Sequence, residues 1–425
     1  MKKRRAMRRT RRILCVLLPI LLFSLAALFA ISRHLESREN RTDLPTDCAD
    51  AKDDAATLEE TDSRTDEKAA QPAQKLPAPD DKKEPEAQSR EPDTDPESSR
   101  TDAEPEPETE PVTLLFTGDV LLSDYVLKNY DRDGISGVLS PVLLEELTGA
   151  DITVINNEFP FSTRGDQAPD KQFTFRVNPD YVRILTDMGV DIAGIANNHV
   201  LDFGPDALRD TFDTLTNAGI DYMGAGDDID RAGALITEEI NGKTFGFLAA
   251  SRVIPVVSWD IKNASPGVFT TYDPTLLLAA IEQAQAQCDF LSVFVHWGIE
   301  RDEYPQDYQV NMAKQYIDAG ADLIVGAHPH VLQGISYYKG KPVFYSLGNF
   351  IFNREIARTA VLKVTVPPQG APTFQMIAAS AGNARTAADD GDKKAATYDY
   401  LEHISEGITI DADGVLTQKE EAKQP

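Results

Sequence analysis

From Val112 onward the chain alternates between two hydrophobic periods. Short apolar runs rich in β-branched residues at 112–116, 152–155, 192–196, 245–249, 290–295, 323–325 and 343–345 are bounded by turn-forming residues and predict strands. Stretches of helical period at 179–188, 205–218, 274–287 and 309–319 stand between many of them. Three of these open on Pro179, Pro205 and Pro274, and proline fits the first helical turn, where its missing N–H costs nothing. Met188-Gly189-Val190-Asp191, Ala218-Gly219-Ile220-Asp221 and Ala319-Gly320-Ala321-Asp322 repeat one helix-to-strand joint, with glycine as the left-handed helix stop. Their irregular spacing excludes a solenoid repeat. Strands alternating with helices predict an α/β sheet covered on its faces. The runs 360–366 and 373–378 predict an antiparallel pair, so the sheet system is expected to be mixed.

Before Val112 the pattern is different. Residues 13–31 form an uncharged run of 19, long enough for a helix to cross a bilayer core of about 30 Å. Eight basic residues among 1–12 precede it and no acidic one. By the positive-inside rule this tip stays cytoplasmic and the remainder lies outside the membrane. A cleaved signal peptide is the alternative. The run exceeds the usual apolar region of roughly 7–15 residues and no clean A-x-A site follows, so a single-pass anchor in the cell membrane is the expectation. Residues 32–111 hold 11 basic and 25 acidic residues, ten prolines and no aromatic. Such a segment cannot bury enough apolar surface to offset the entropy of ordering its backbone. It predicts a disordered, self-repelling tether, with a folded domain at 112–425.

Charge then narrows the function. The chain has 425 residues and a formal net charge of -27, divided into +8 for the tip, -14 for the tether and -21 for the domain. An acidic domain excludes nucleic acid as a sequence-independent partner. Three cysteines, of which only Cys288 falls in the domain, supply neither a disulfide framework nor a cysteine-rich zinc module. Metal chemistry here has to use imidazole, carboxylate and amide groups. No G-x-x-x-x-G-K-[ST] loop is present, which argues against ATP-driven amide synthesis by this chain.

Polar residues gather where the predicted strands end, the place where open α/β folds keep their reactive groups. Asp119, Glu158, Asn198 with His199, His296, and His328 with His330 all hold such positions, and they include four of the six histidines. Each alone reads equally as a cap, a turn residue or a hydrogen-bonded structural histidine. Together they predict an oxygen/nitrogen metal site suited to zinc, manganese or iron, with His328 and His330 serving one shared ion or two neighbouring ones. Two ions about 3.5–4 Å apart would clamp an oxyanion. The loop 162–178 carries Arg164, Lys171 and Arg176, which either contact an anionic substrate or belong to a solvated surface.

The phrases Gly118-Asp119, Asn157-Glu158, Ala196-Asn197-Asn198-His199 with Asp202 and Gly204, His296-Trp297-Gly298, Gly326-Ala327-His328-Pro329-His330 and Ser346-Leu347-Gly348-Asn349-Phe350 follow the order found in the CapA family. Its members are bacterial capsule, or poly-gamma-glutamate, biosynthesis proteins. That family in turn resembles the calcineurin-like metallophosphoesterases. The resemblance implies a metallophosphatase-like four-layer sandwich of two mixed sheets flanked by helices. It implies two divalent ions, the first held by Asp119 and His330, the second by Asn198, His296 and His328, with Glu158 bridging. It gives His199 the place of the histidine that protonates the leaving oxygen, with Asp202 fixing its tautomer and raising its pKa. Arg164, Arg176, Trp297 and Asn349 are the expected substrate contacts, Trp297 as a pocket wall. Two departures stand out. Asp119 is followed by Val120 and Leu121 where the phosphoesterases continue to a second-next histidine, and Glu158 replaces an aspartate. The implied activity is that of a metal-dependent hydrolase or transferase on a phosphoester or an envelope polymer. The alternative is an accessory protein that holds polymer or a membrane-bound capsule synthase subunit.

Overall fold

The computed structural model describes residues 110–419. The expected membrane span at 13–31 and nearly all of the tether lie outside the described residues, among which no helix is long and apolar enough to cross a membrane. Two mixed sheets form the core. The larger has eight strands, ordered from one edge Arg385–Ala388, Thr373–Gly382, Ile356–Val366, Val112–Val120, Ile152–Asn157, Ile192–Gly194 and Asp221–Met223, with Asn349–Ile351 also paired to Val112–Val120. The smaller has six, ordered Ile335–Tyr338, Lys341–Phe344, Leu323–Ala327, Phe290–His296, Lys243–Ser251 and Ile236–Ile240.

The period of two along each strand decides what lies between these sheets. In the smaller sheet Phe245, Phe247, Phe290, Phe294 and Val325 join the core shared with the larger sheet. Their alternates Leu248, Leu291, Val293, Val295 and Ile324 join a second core beneath the helices Thr275–Gln285 and Asp307–Asp318. Phe116 of the larger sheet meets Phe247 of the smaller at a ring separation of 6.3 Å. On the other side, the helices Pro141–Gly149, Val182–Met188 and Gly204–Asn217 bury Leu143, Leu147, Ile184, Leu185 and Leu215. The layers therefore run helix, sheet, sheet, helix.

All seven predicted strands form, with ends shifted by a few residues, and the antiparallel pair spans Ile356–Val366 and Thr373–Gly382. The three repeated glycines have φ of 76°, 72° and 123° at Gly189, Gly219 and Gly320, as a left-handed helix stop requires. Two hairpins escape the apolar-run reading because their strands are half polar. They turn on Asn241-Gly242 and Lys339-Gly340, where both residues of each pair have positive φ.

What matters for the site is strand direction. In the larger sheet Val112–Val120 runs parallel to Ile152–Asn157, which runs parallel to Ile192–Gly194. In the smaller, Lys243–Ser251, Phe290–His296 and Leu323–Ala327 are parallel to one another. Their carboxyl ends meet along one rim.

Candidate metal centre

Each candidate ligand is delivered by the end of a strand. Asp119 sits where the ladder to Ile152–Asn157 shifts register after Phe116, an irregularity that re-aims a side chain. The backbone here is pressed against the loop 346–349. Asp119 N donates to Gly348 O at 2.9 Å, and a Cβ on Gly118 would stand 1.8 Å from that same oxygen. Only glycine fits there. Glu158 follows directly on Ile152–Asn157, and its N–H donates to Val120 O at 2.9 Å. His296 ends its strand. His328 and His330 flank Pro329 in a turn where both have positive φ, 98° and 60°, an uncommon conformation for residues with side chains. Strain of this kind persists where the surroundings over-determine it, and here it points two imidazoles toward one place.

The side chains converge on Glu158. Ligand atoms of Glu158, His296 and His328 lie within 4.8 Å of one another, and so do those of Asp119, Glu158 and His330. Asn198 Oδ1 stands 2.8 Å from His296 Nε2, which adds the amide to the first of these groups. His330 Nδ1 lies 3.0 Å from Asp119 Oδ2 and 2.9 Å from Asn349 Oδ1. Most of this is buried: Asp119 and Glu158 show no exposure and His296 only 1%, while His330 and Asn349 are half-buried. Yet both carboxylate oxygens of Glu158 and Nδ1 of His328 have no hydrogen-bond partner. Burying a carboxylate without partners costs several kcal/mol unless a counter-charge answers it. The orphaned atoms and the mixed carboxylate, imidazole and amide donors fit divalent transition-metal ions.

Burial also sets the protonation of the metal-free pocket. Desolvation, with Asp119 nearby, holds the Glu158 carboxyl well above its usual range. Desolvation and the neighbouring imidazoles push His296 well below its ordinary value. Burial pushes His328 down to about 4. Burial pulls His330 down as well, but Glu158, Asp119 and Asn349 outweigh it and push it up to about 10. Neutral imidazole is the metal-binding form, so the His296–His328 side is ready for an ion and the His330 side holds a proton instead.

His199 borders the cavity outside these groups, 2.7 Å through Nδ1 from Asp202 Oδ2, with its ring 4.5 Å from that of Phe175. The contact fits the expected partnership, but the expected rise in pKa does not follow. Burial outweighs Asp202 and lowers the imidazole. A residue that the motif reading left outside the site explains part of this. Lys171, from the loop 162–178, donates to the backbone oxygen of Asn198 and to Asp202, and its Nζ lies 3.0 Å from His199 Nδ1. Its charge offsets that of Asp202 beside the ring. Asn156 and Asn197 were also missed. Asn156 Nδ2 donates to Asp119 Oδ1 at 2.8 Å, and Asn197 Nδ2 donates to Asn156 Oδ1 at 3.1 Å and Asn157 O at 2.9 Å. They stitch neighbouring strand ends together. The only sequence signal for them was adjacency to residues already chosen.

Two expected substrate contacts, Trp297 and Arg164, need correction. Trp297 is fully buried in the core on the far side of the smaller sheet, where Nε1 donates to Tyr345 O at 2.9 Å. Successive residues of a strand face opposite ways, so His296 in the pocket requires Trp297 out of it. Arg164 does not border the cavity and pairs with Asp210 of the helix Gly204–Asn217 at 2.6 Å. Arg176 does border it, but its guanidinium donates to the carbonyls of Arg164 and Gly165 and covers the Phe203 ring at 4.1 Å. Asn349 lines the cavity and also contacts His330.

Two mixed sheets with paired carboxylate–imidazole groups at their common rim define an α/β protein of metal-site type. The chain belongs to the family of the bacterial capsule synthesis protein PGA_cap, whose family model matches residues 113–354. It is similar to the PGA biosynthesis protein CapA of Bacillus subtilis (strain 168), 33% identical over 61% of this chain and 69% of that one. It is also similar to a Mycobacterium tuberculosis (strain CDC 1551 / Oshkosh) protein described as a probable polyglutamine synthesis accessory protein, 32% identical over 49% of this chain and 58% of that one. Among solved structures it is distantly similar to the Thermus thermophilus sulfate thiohydrolase SoxB in complex with glycerol. That likeness has a TM-score of 0.37 and 13% identity over 66% of this chain and 58% of that one.

Proposed function

We propose that this protein serves capsule or envelope-polymer biosynthesis outside the cell. In this reading residues 13–31 anchor it, residues 32–111 hold the domain away from the membrane, and the rim pocket acts as a metal-dependent hydrolase or transferase. The observation that carries the metal reading is Glu158, fully buried, without a hydrogen bond, and shared by both ligand groups. Asn198, His296, His328 and Glu158 would hold one divalent ion, and Asp119, His330 and Glu158 a second. Such ions supply Lewis acidity to a phosphoryl or acyl oxygen.

The chain's own residues then do the rest. His199 has Nδ1 committed to Asp202 Oδ2, which leaves Nε2 for the cavity. There it can exchange a proton with a leaving oxygen. Phe175 packs on the ring and its N–H donates to Asp202 Oδ2 at 2.8 Å, so the loop 162–178 fixes both members of the pair. Asn349 orients His330.

One observation favours a second reading, an accessory protein that binds polymer or a synthase subunit without turnover. The Asp119–His330 pair is already neutralised within the protein, and the histidine that phosphoesterases add after Asp119 is missing. Metal analysis of the full chain separates these readings, beside an Asp119→Ala/His296→Ala variant and assays on a phosphodiester and on poly-gamma-glutamate. About two ions per chain, with turnover lost in the variant, supports the enzyme. Fewer than one ion and no turnover on either substrate rejects it.

A further inference from the structure

The ligand groups occupy only one side of a larger space. A cavity of about 780 Å³ opens beside His199 and His330. Part of its wall is apolar, formed by Leu121, Leu122, Phe175 and Phe352, and Tyr125 and Phe173 stand in its lining 50% and 61% exposed. Its guanidiniums are Arg176 and Arg301, beside the His330 imidazole. Arg176 is held in place by two backbone carbonyls and the Phe203 ring. Arg301 is held differently. Its backbone has φ of 64° and its N–H donates to Pro329 O at 2.8 Å, between the two histidines of the turn. No hydrogen bond or ion pair to its guanidinium is found among the described residues, so it stands over the cavity uncommitted.

Neither guanidinium is needed to hold an ion. Both lie in a domain whose residues sum to -21, where a cation pair is the local exception that an anionic ligand requires. Two carboxylates, Asp124 and Glu300, share the lining. They disfavour a dense polyanion such as polyphosphate, whose charges would fall against them. A chain whose anionic groups are spaced by methylenes can set its charges at the guanidiniums and its hydrocarbon on the aromatic wall.

We propose that this cavity is a second anion subsite, which binds an anionic group other than the reacting one, joined to it by an apolar spacer, with Arg301 as its principal contact and Arg176 as a fixed second. This rests on the metal reading of the rim pocket and separates a chain that reaches both places from a small phosphomonoester, which reaches only one.

The test is fluorescence anisotropy on the detergent-solubilised full chain loaded with Mn²⁺. The probes are a labelled γ-linked glutamate decamer and the same decamer with carboxamide side chains. Arg301→Gln should weaken the carboxylate decamer about tenfold, the effect of losing one charge-assisted hydrogen bond. It should leave the carboxamide decamer and the manganese content unchanged. Phe173→Ala should weaken both probes alike. Carboxylate-decamer affinity unchanged within twofold in an Arg301→Gln/Arg176→Gln variant would overturn the subsite, and so would a manganese-loaded wild type that binds neither probe. Failure to take up manganese would overturn the metal reading beneath it, and this inference with it.

Discussion

The two ligand groups share Glu158 but differ in what surrounds their other members. His296 and His328 are buried, pushed toward the neutral form, and His328 keeps a nitrogen with nothing to bond. His330 is in contact with Asp119 and Asn349 and is pushed toward the charged form. One side is an unmet need for a cation, and the other has already met that need with a proton. Val120 and Leu121, which follow Asp119, supply no ligand, and the imidazole that contacts its carboxylate is that of His330, from the histidine turn. The His296–His328 side should therefore bind its ion first and more tightly.

The largest effect should come from the shared residue. Glu158→Leu should abolish uptake of both ions and at the same time stabilise the metal-free protein by about 1–3 kcal/mol, since it removes a buried carboxyl that no hydrogen bond satisfies and that only imidazoles at 3.8 Å approach. Urea unfolding in chelator, beside metal analysis, checks both signs. A variant that loses stability in chelator would mean that the imidazoles of His296 and His330, 3.8 Å from Glu158 Oε1, already answer its charge.

Next comes the asymmetry itself. His328→Asn should weaken the tighter ion by more than about 100-fold, because even residues that only support ligands cost 10–100-fold when removed. His330→Asn should spare the tighter ion and remove only the weaker one. Calorimetric titration with Mn²⁺ in buffers of different ionisation enthalpy adds a second readout. The weaker ion has to displace the proton on His330, and the tighter ion has no imidazole proton to displace. A weaker phase that releases no proton would erase the distinction.

Much of this arrangement was legible before the fold was known. All ligand candidates were visible as polar residues after apolar runs, because a parallel strand announces both its length and its carboxyl end. The smaller sheet's hairpins were harder. Ile236–Ile240 has alternate residues exposed, and its clearest signal was the Asn241-Gly242 turn. Side-chain direction was the weakest inference. Trp297 was assigned to the pocket because it adjoins His296, when the period of two sends it to the opposite core. Loop residues were undecidable for another reason: Arg164 and Lys171 look alike in sequence, and only the fold brings one to the surface helix and the other beneath His199.

The same contrast predicts opposite pH responses in chelator. His330 has a folded pKa of about 10 against an unfolded value near 6.5, so its contribution is present below pH 6.5 and fades as pH rises toward 10. His328 has a folded pKa of about 4, so its contribution is present above pH 6.5 and fades as pH falls toward 4. The alkaline limb is on the order of 5 kcal/mol and the acid limb on the order of 3 kcal/mol. Unfolding free energies at pH 5, 7 and 9 should show the alkaline loss reduced in His330→Asn and the acid loss reduced in His328→Asn. Saturating metal should flatten the alkaline limb, since the ion takes the place of the proton.

The smallest effect belongs to the residue that the fold moved out of the site. Arg164 is 57% exposed in its side chain and pairs with Asp210, which is 22% exposed. An exposed pair gains little, because solvent screens the charges and two long side chains lose freedom to meet. Arg164→Ala should leave stability almost unchanged. Ion content and binding of the γ-glutamate probe should stay as in the wild type. Lys171 lies seven positions further along the same loop, only 13% exposed against an Asp202 with no exposure. If Arg164→Ala weakened probe binding, the loop 162–178 would have to be read as one cationic surface. The division between a structural outer face and a site-facing inner one would then fail.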